Sequence, residues 1–152
     1  MPLRRIPFAA ALALLAFAAS GTPRASGAGL YEAHCVACHQ TDGNGAEGLA
    51  PPLVGVLAKR AHSDSGREYL AQVVVSGMVG PITSRGVRYN GNMPPALLSD
   101  DELVMVMAYV LNTFNSSAPG LSAELFANAR RKALVPSAVR QQRERVLADV
   151  GE

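Results

Sequence analysis

Apolar residues along the chain recur mostly at helical spacing. Leu30, Ala33, His34 and Ala37 predict a first helix from about residue 28 into the segment 35–39. Gly43, Gly45 and Gly48 then mark a loop. Pro51-Pro52-Leu53-Val54-Gly55 follows as an extended stretch, because proline lacks a helix donor and pushes its predecessor out of the helical region. Tyr69, Leu70, Val73 and Val74 predict a short amphipathic helix over 67–76, although this β-branched run would also suit a strand. The glycines and prolines of 77–95 predict a long irregular loop, and a loop that long in a small domain usually has a task.

The strongest helix signal lies beyond it. Ser99 and Glu102 form a capping box, and Leu103, Val106, Met107, Val110, Leu111 and Phe114 line one apolar face. A second cap falls at Ser122, Pro136 interrupts the helix that it starts, and Val139, Val146, Leu147 and Val150 mark a last amphipathic segment. The expectation for this tail is that 121–134 packs back on the domain and the rest is a solvated helix. The pattern is that of an all-α protein with no internal repeat.

The N-terminus changes the picture of where the chain works. Arg4 and Arg5 precede an apolar run at 8–19, and Ala16-Phe17-Ala18 offers a cleavage signal. The run is shorter than the roughly 20 residues a membrane span needs. Residues 1–19 are therefore read as a signal peptide, with cleavage as late as residue 27, leaving no transmembrane segment in the mature chain and placing it in the periplasm. Residues 25–120 hold five Lys or Arg against eight acids, a net of −3, and residues 121–152 hold six against four, a net of +2. No concentrated basic face points to nucleic acid. Tryptophan is absent and aromatic content is only 5%, so a body of this size has a thin core that a bound apolar group would fill.

The two cysteines say which group. In Cys35-Val36-Ala37-Cys38-His39 the two thiols fall on one side of a helical turn, where they can add to the two vinyl groups of a haem while His39 reaches the iron. A thioredoxin-like dithiol would follow a strand in a βαβ pattern, and a zinc site needs four ligands that His34 and His62 do not complete. One covalent haem c is the reading. His39 fills one axial position, and a Met, a His or nothing can fill the other. Met93, in Asn90-Gly91-Asn92-Met93-Pro94-Pro95, is the candidate, since a thioether on a proline-stiffened loop can meet the iron without distorting a helix. Met78 is its rival. Met105 and Met107 read as helix packing, His62 as a solvated residue beside Lys59 and Arg60, and His34 as unable to swing to the far face.

These motifs in this order resemble a class I cytochrome c over residues 27–115. The resemblance implies a fold in which N- and C-terminal helices pack around one haem, a domain at 27–118 and an extra helical tail at 119–152. It puts Gly29 and Tyr31 where that family has a helix-contact glycine and an aromatic. It also implies a hydrogen bond from the His39 ring to the Pro51 carbonyl. Gly80-Pro81-Ile82-Thr83, Tyr89-Asn90-Gly91-Asn92-Met93-Pro94 and Tyr109-Val110-Leu111-Asn112 are similar to cytochrome domains fused to, or serving, periplasmic copper nitrite reductases and quinoprotein alcohol dehydrogenases. The resemblance implies an electron carrier rather than an enzyme, docking transiently on such a reductase, dehydrogenase or terminal oxidase. The rivals are a dedicated subunit of an oxidoreductase complex, and a haem enzyme or gas sensor with an open iron.

Overall fold

The computed structural model describes residues 26–116 and 119–151. The export signal expected at 1–19 lies outside them. Helix α1 (Gly27–His34) starts at Ser26, whose Oγ accepts the Gly29 N–H at 3.1 Å. The single helix expected through the cysteines is broken in two, because Cys35 leaves the helical region at φ −122° before α2 (Val36–His39) resumes. The Cys35 N–H still bonds the Tyr31 carbonyl at 2.9 Å, so the break turns the motif without detaching it.

Helix α3 (Ala58–His62), which the hydrophobic pattern does not announce, leads into α4 (Asp64–Ser76). Ser63 caps α4 by accepting the Gly66 N–H at 3.0 Å. The valine run at 73–75 is helical, not extended. Tyr69, Leu70, Ala71, Gln72, Val73 and Val74 are all buried, and packing on nearly every side overrides the β preference. Helices α3, α6 and α7 all lie against α4, which makes it the spine of the domain.

The segment 77–95 is ordered rather than irregular. Strand β1 (Met78–Val79) pairs antiparallel with β4 (Asn92–Met93), and β2 (Ile82–Ser84) pairs with β3 (Val87–Tyr89) inside that loop. Two or three residues are too few to show an alternating pattern, which hid both pairs from the sequence.

Helix α5 (Asp100–Phe114) carries the expected capping box: the Ser99 Oγ accepts the Glu102 N–H at 3.3 Å and the Glu102 carboxylate accepts the Ser99 N–H at 2.8 Å. It crosses α1 with no room to spare at Gly27, where a Cβ would lie 2.3 Å from the Met105 carbonyl oxygen. The helix-contact glycine is therefore Gly27 and not Gly29, whose added Cβ would meet only the Ser26 Oγ.

Helix α6 (Ala123–Arg131) buries Phe126 and Ala129, and α7 (Pro136–Val150) starts on the proline, which suits a first helical turn. The expected solvated end is a packed helix instead. Val139, Arg143 and Val146 are buried, α7 rests on α4 and β1, and Arg143 donates to the Thr83 carbonyl at 2.9 Å. Gln72 donates from α4 to the Ala129 and Lys132 carbonyls at 3.2 Å each, tying the spine to the end of α6.

Candidate functional site

The chemistry of the site begins at α2. Cys35 and Cys38 are free, half-buried thiols, and His39 is buried with 9% of its surface exposed. Burial and the neighbouring Cys38 push the Cys35 thiol up to about 11, so it stays neutral at physiological pH. The loop after α2 folds back at once: the Gly43 N–H bonds the Gln40 carbonyl at 3.2 Å and the Gly45 N–H bonds the His39 carbonyl at 3.0 Å. Gly45 sits against residues 50 and 51, where a Cβ would come within 2.3 Å of the Ala50 carbonyl oxygen. That close approach brings the Pro51 carbonyl within 3.1 Å of the His39 Nδ1.

This contact fixes the state of the ring. A carbonyl only accepts, so Nδ1 carries the proton and Nε2 keeps its lone pair. Burial pulls the His39 pKa below its ordinary value while the Pro51 contact opposes the shift, and the net effect favours the neutral, metal-binding form. The motif is also braced from behind. Tyr31 packs on Tyr109 and Phe114 with ring centroids 5.4 and 5.3 Å away, and its hydroxyl donates to the Gln40 carbonyl at 2.7 Å. Burial pushes that phenol up to about 12, which keeps it a donor.

Met93 is placed by different means. Gly77, at the end of α4 with φ +73°, lies against the Met93 backbone, where a Cβ would be 2.4 Å from the Met93 carbonyl oxygen. The Ala96 N–H bonds the Val74 carbonyl at 2.8 Å, a second tie to α4. Gly91 rests on the Leu49 carbonyl, so the loop carrying Met93 meets the loop leading to Pro51. Met93 itself is half-buried against the core.

The other candidates fall elsewhere or close by. Met107 is buried in the core on α5, and Met105 is half-buried on the same helix, at the Gly27 crossing. His34 and His62 are exposed, with the His62 Nδ1 2.7 Å from the Ala58 carbonyl. Met78 stands directly across from Met93 in the β1–β4 pair. Two residues whose polar contacts the sequence does not announce also lie here. Tyr69 reaches the Met78 sulfur with its hydroxyl at 4.0 Å. Buried Asn115 accepts the Leu57 N–H at 2.9 Å and donates to the Val110 carbonyl at 3.2 Å, fixing the segment after Pro51 on the end of α5.

Two thiols in a helical turn, a neutral imidazole with a free nitrogen and a half-buried thioether form a donor set that fits a covalently held haem. The site and the helical frame together define a haem-attachment domain. The cytochrome c family model matches residues 25–114, and the chain belongs to that family, as a class I member carrying covalently bound haem c. It is similar to two cytochromes c-552 of Thermus thermophilus. One is 33% identical over 141 residues, covering 89% of this chain and 95% of that protein. The other is 34% identical over 129 residues, covering 81% and 98%. The fructose dehydrogenase cytochrome subunit of Gluconobacter japonicus is 29% identical over 118 residues, which are 72% of this chain and 23% of that protein. Electron transfer is the function these relationships support. Among the described residues no helix is long and apolar enough to cross a membrane.

Proposed function

We propose that the chain is a periplasmic electron-transfer protein. It carries one electron on a haem held through Cys35 and Cys38 and ligated by His39 and Met93, between a respiratory donor and a terminal reductase, oxidase or dehydrogenase. Residues 1–19 are the export signal, 27–118 the haem domain and 119–152 its tail. When bound, the haem supplies a one-electron iron couple. The chain's residues do the rest. The Pro51 carbonyl holds the His39 ring in one tautomer and one orientation, a restraint that tunes a metal as well as placing it. Gly77, Val74 and Leu49 fix the backbone around Met93, whose thioether raises the potential and leaves no open site for a substrate. The protein is accordingly a carrier and not itself an enzyme.

The observation that carries this reading is the His39–Pro51 contact, because it presents an unprotonated Nε2 beside two free thiols. Leu49 and Leu97, on the loops leading to Pro51 and from Met93, are exposed and suit the small, transient interface of a redox partner. The acidic body at 25–120 favours a basic patch on that partner. A copper nitrite reductase, a quinoprotein dehydrogenase or a terminal oxidase fits that role. A second reading, a dedicated electron-transfer subunit of an oxidoreductase complex, draws on the likeness to the fructose dehydrogenase cytochrome subunit. Gel filtration of native extracts separates the two, because a stable stoichiometric complex favours the subunit.

The test of the chemistry is the reduced holoprotein. A low-spin iron that ignores carbon monoxide, with one strongly upfield methionine methyl resonance that survives Met78→Leu, is the expected result. A high-spin, carbon-monoxide-binding iron in the wild type would sink the carrier reading.

A further inference from the structure

Met78 and Met93 stand directly opposite each other in the antiparallel β1–β4 pair. Opposed residues in such a pair project from the same face, with Cβ atoms about 5 Å apart. The alternation of burial agrees. Val79 and Asn92 are exposed on the outer face, while both methionines are half-buried against the core. A group that meets one thioether on this face therefore lies within reach of the other, given the three rotatable bonds of each side chain.

What separates the two is a hydrogen bond. The Tyr69 hydroxyl lies 4.0 Å from the Met78 sulfur. Tyr69 is buried on α4 and is also hydrogen-bonded by Arg143 of α7. A guanidinium only donates, so the phenol oxygen accepts from Arg143 and its single proton is left for the sulfur. Arg143 is itself steadied by the Thr83 carbonyl at 2.9 Å. The chain from α7 through Tyr69 thus ends on Met78.

We propose that Met78 is a reserve axial ligand: the Tyr69 hydroxyl holds its thioether away from the iron while Met93 is in place, and Met78 takes the axial position when Met93 is lost. This rests on the reading of Met93 as the native ligand. A neutral hydrogen bond to sulfur is weak beside a sulfur–iron bond, so the Tyr69 contact selects between two thioethers without barring either. Tyr69 is then a positioning residue, acting through Met78.

The experiment uses the full-length holoprotein with methyl-labelled methionine. Reduced Met93→Leu is expected to keep one strongly upfield methionine methyl and a low-spin iron. The double variant Met93→Leu/Met78→Leu is expected to lose that resonance and bind carbon monoxide. If Met93→Leu alone behaves like the double variant, the proposal is overturned. Should Met93→Leu yield no holoprotein, Tyr69→Phe decides the matter with both methionines present. A second upfield methyl, assigned to Met78 by its loss in Tyr69→Phe/Met78→Leu, supports the proposal, and an unchanged single resonance overturns it. A wild-type resonance abolished by Met78→Leu would mark a different failure, that of Met93 as the native ligand, and would take the reserve role down with it.

Discussion

The segment that carries His39 and the segment that carries Met93 are held by different kinds of contact. Around His39 the backbone and ring partners are near in sequence: Gln40 with Gly43, His39 with Gly45, Gly43 with Leu53, and the ring with Pro51, with Tyr109, Phe114 and Asn115 of the α5 region bracing that local fold from behind. Around Met93 they are distant. Met78 pairs with it across the inner hairpin, Val74 binds the chain just beyond it, Leu49 supports Gly91, and α7 packs against β1. Closing a short loop costs little entropy, whereas distant contacts are made only once much of the chain is in place. The placing of His39 is thus largely a local property of the sequence and that of Met93 a property of the finished fold.

The largest effect expected on this contrast comes from the local half. Cys35→Ala/Cys38→Ala should abolish covalent haem altogether, read as loss of haem stain on a denaturing gel. A variant that still runs with bound haem would show that attachment does not depend on this motif. Next comes the support under the distant half. Phe126 is fully buried on α6, and Phe126→Ala should cost about 3–5 kcal/mol by chemical denaturation. A loss below 1 kcal/mol would mean that the tail contributes little to the fold around Met93.

Two glycine substitutions sharpen the contrast further. Gly77→Ala forces a left-handed backbone on alanine and drives its Cβ into the Met93 carbonyl, and Gly45→Ala drives a Cβ into the Ala50 carbonyl. Each should cost about 2–3 kcal/mol. Their spectra should differ. Gly77→Ala is expected to weaken the upfield methionine signal and let carbon monoxide in, while Gly45→Ala keeps that signal and raises the potential, because a loosened Pro51 contact makes the His39 ring a weaker electron donor. Identical spectral changes in both would erase the distinction between the two halves.

The same division explains what could be read from the sequence. Cys35, Cys38 and His39 are contiguous, and the box at Ser99 and Glu102 spans one helical turn, so both announce themselves without any tertiary knowledge. The β1–β4 pair joins two dipeptides across an intervening hairpin, and neither carries a pattern of its own. The helix-contact glycine is two residues before the one to which the family resemblance points. Whether Gly27 or Gly29 meets α5 depends on where the Met105 carbonyl falls, which only the packed structure states. Tyr69 reads as one more apolar position of α4, and its hydroxyl gains a role only when Met78 and Arg143 arrive from elsewhere. The seating of α7 is hidden in the sequence for a related reason: Val139 and Val146 cover only a narrow stripe, while the rest of the helix is rich in charge.

The smallest effect lies at the junction of the two halves, where a local motif ends the distant segment. The cap at Ser99 closes the stretch that runs from Met93, and Leu98 just before it is held by Arg130 through its carbonyl at 2.5 Å. Ser99→Ala removes the hydroxyl that accepts the Glu102 N–H and should cost about 1 kcal/mol at neutral pH. It should leave the methionine resonance in place, because β1, Gly77 and Val74 hold Met93 independently of the cap. The acid range gives a second readout. Hydrogen bonds from the Ser99 backbone and side chain hold the Glu102 carboxyl below its ordinary pKa. A carboxylate depressed in the folded state stabilises the protein above its unfolded pKa, and that contribution is lost as pH falls through the folded value. The wild type should therefore lose stability more steeply on acidification than Ser99→Ala, and the gap between the two curves should narrow at low pH without closing, because the Ser99 hydroxyl still accepts the Glu102 N–H there. Parallel curves would show that the Ser99 hydroxyl owes nothing to the charge on Glu102, and a shifted methionine resonance would show that Met93 depends on the cap after all.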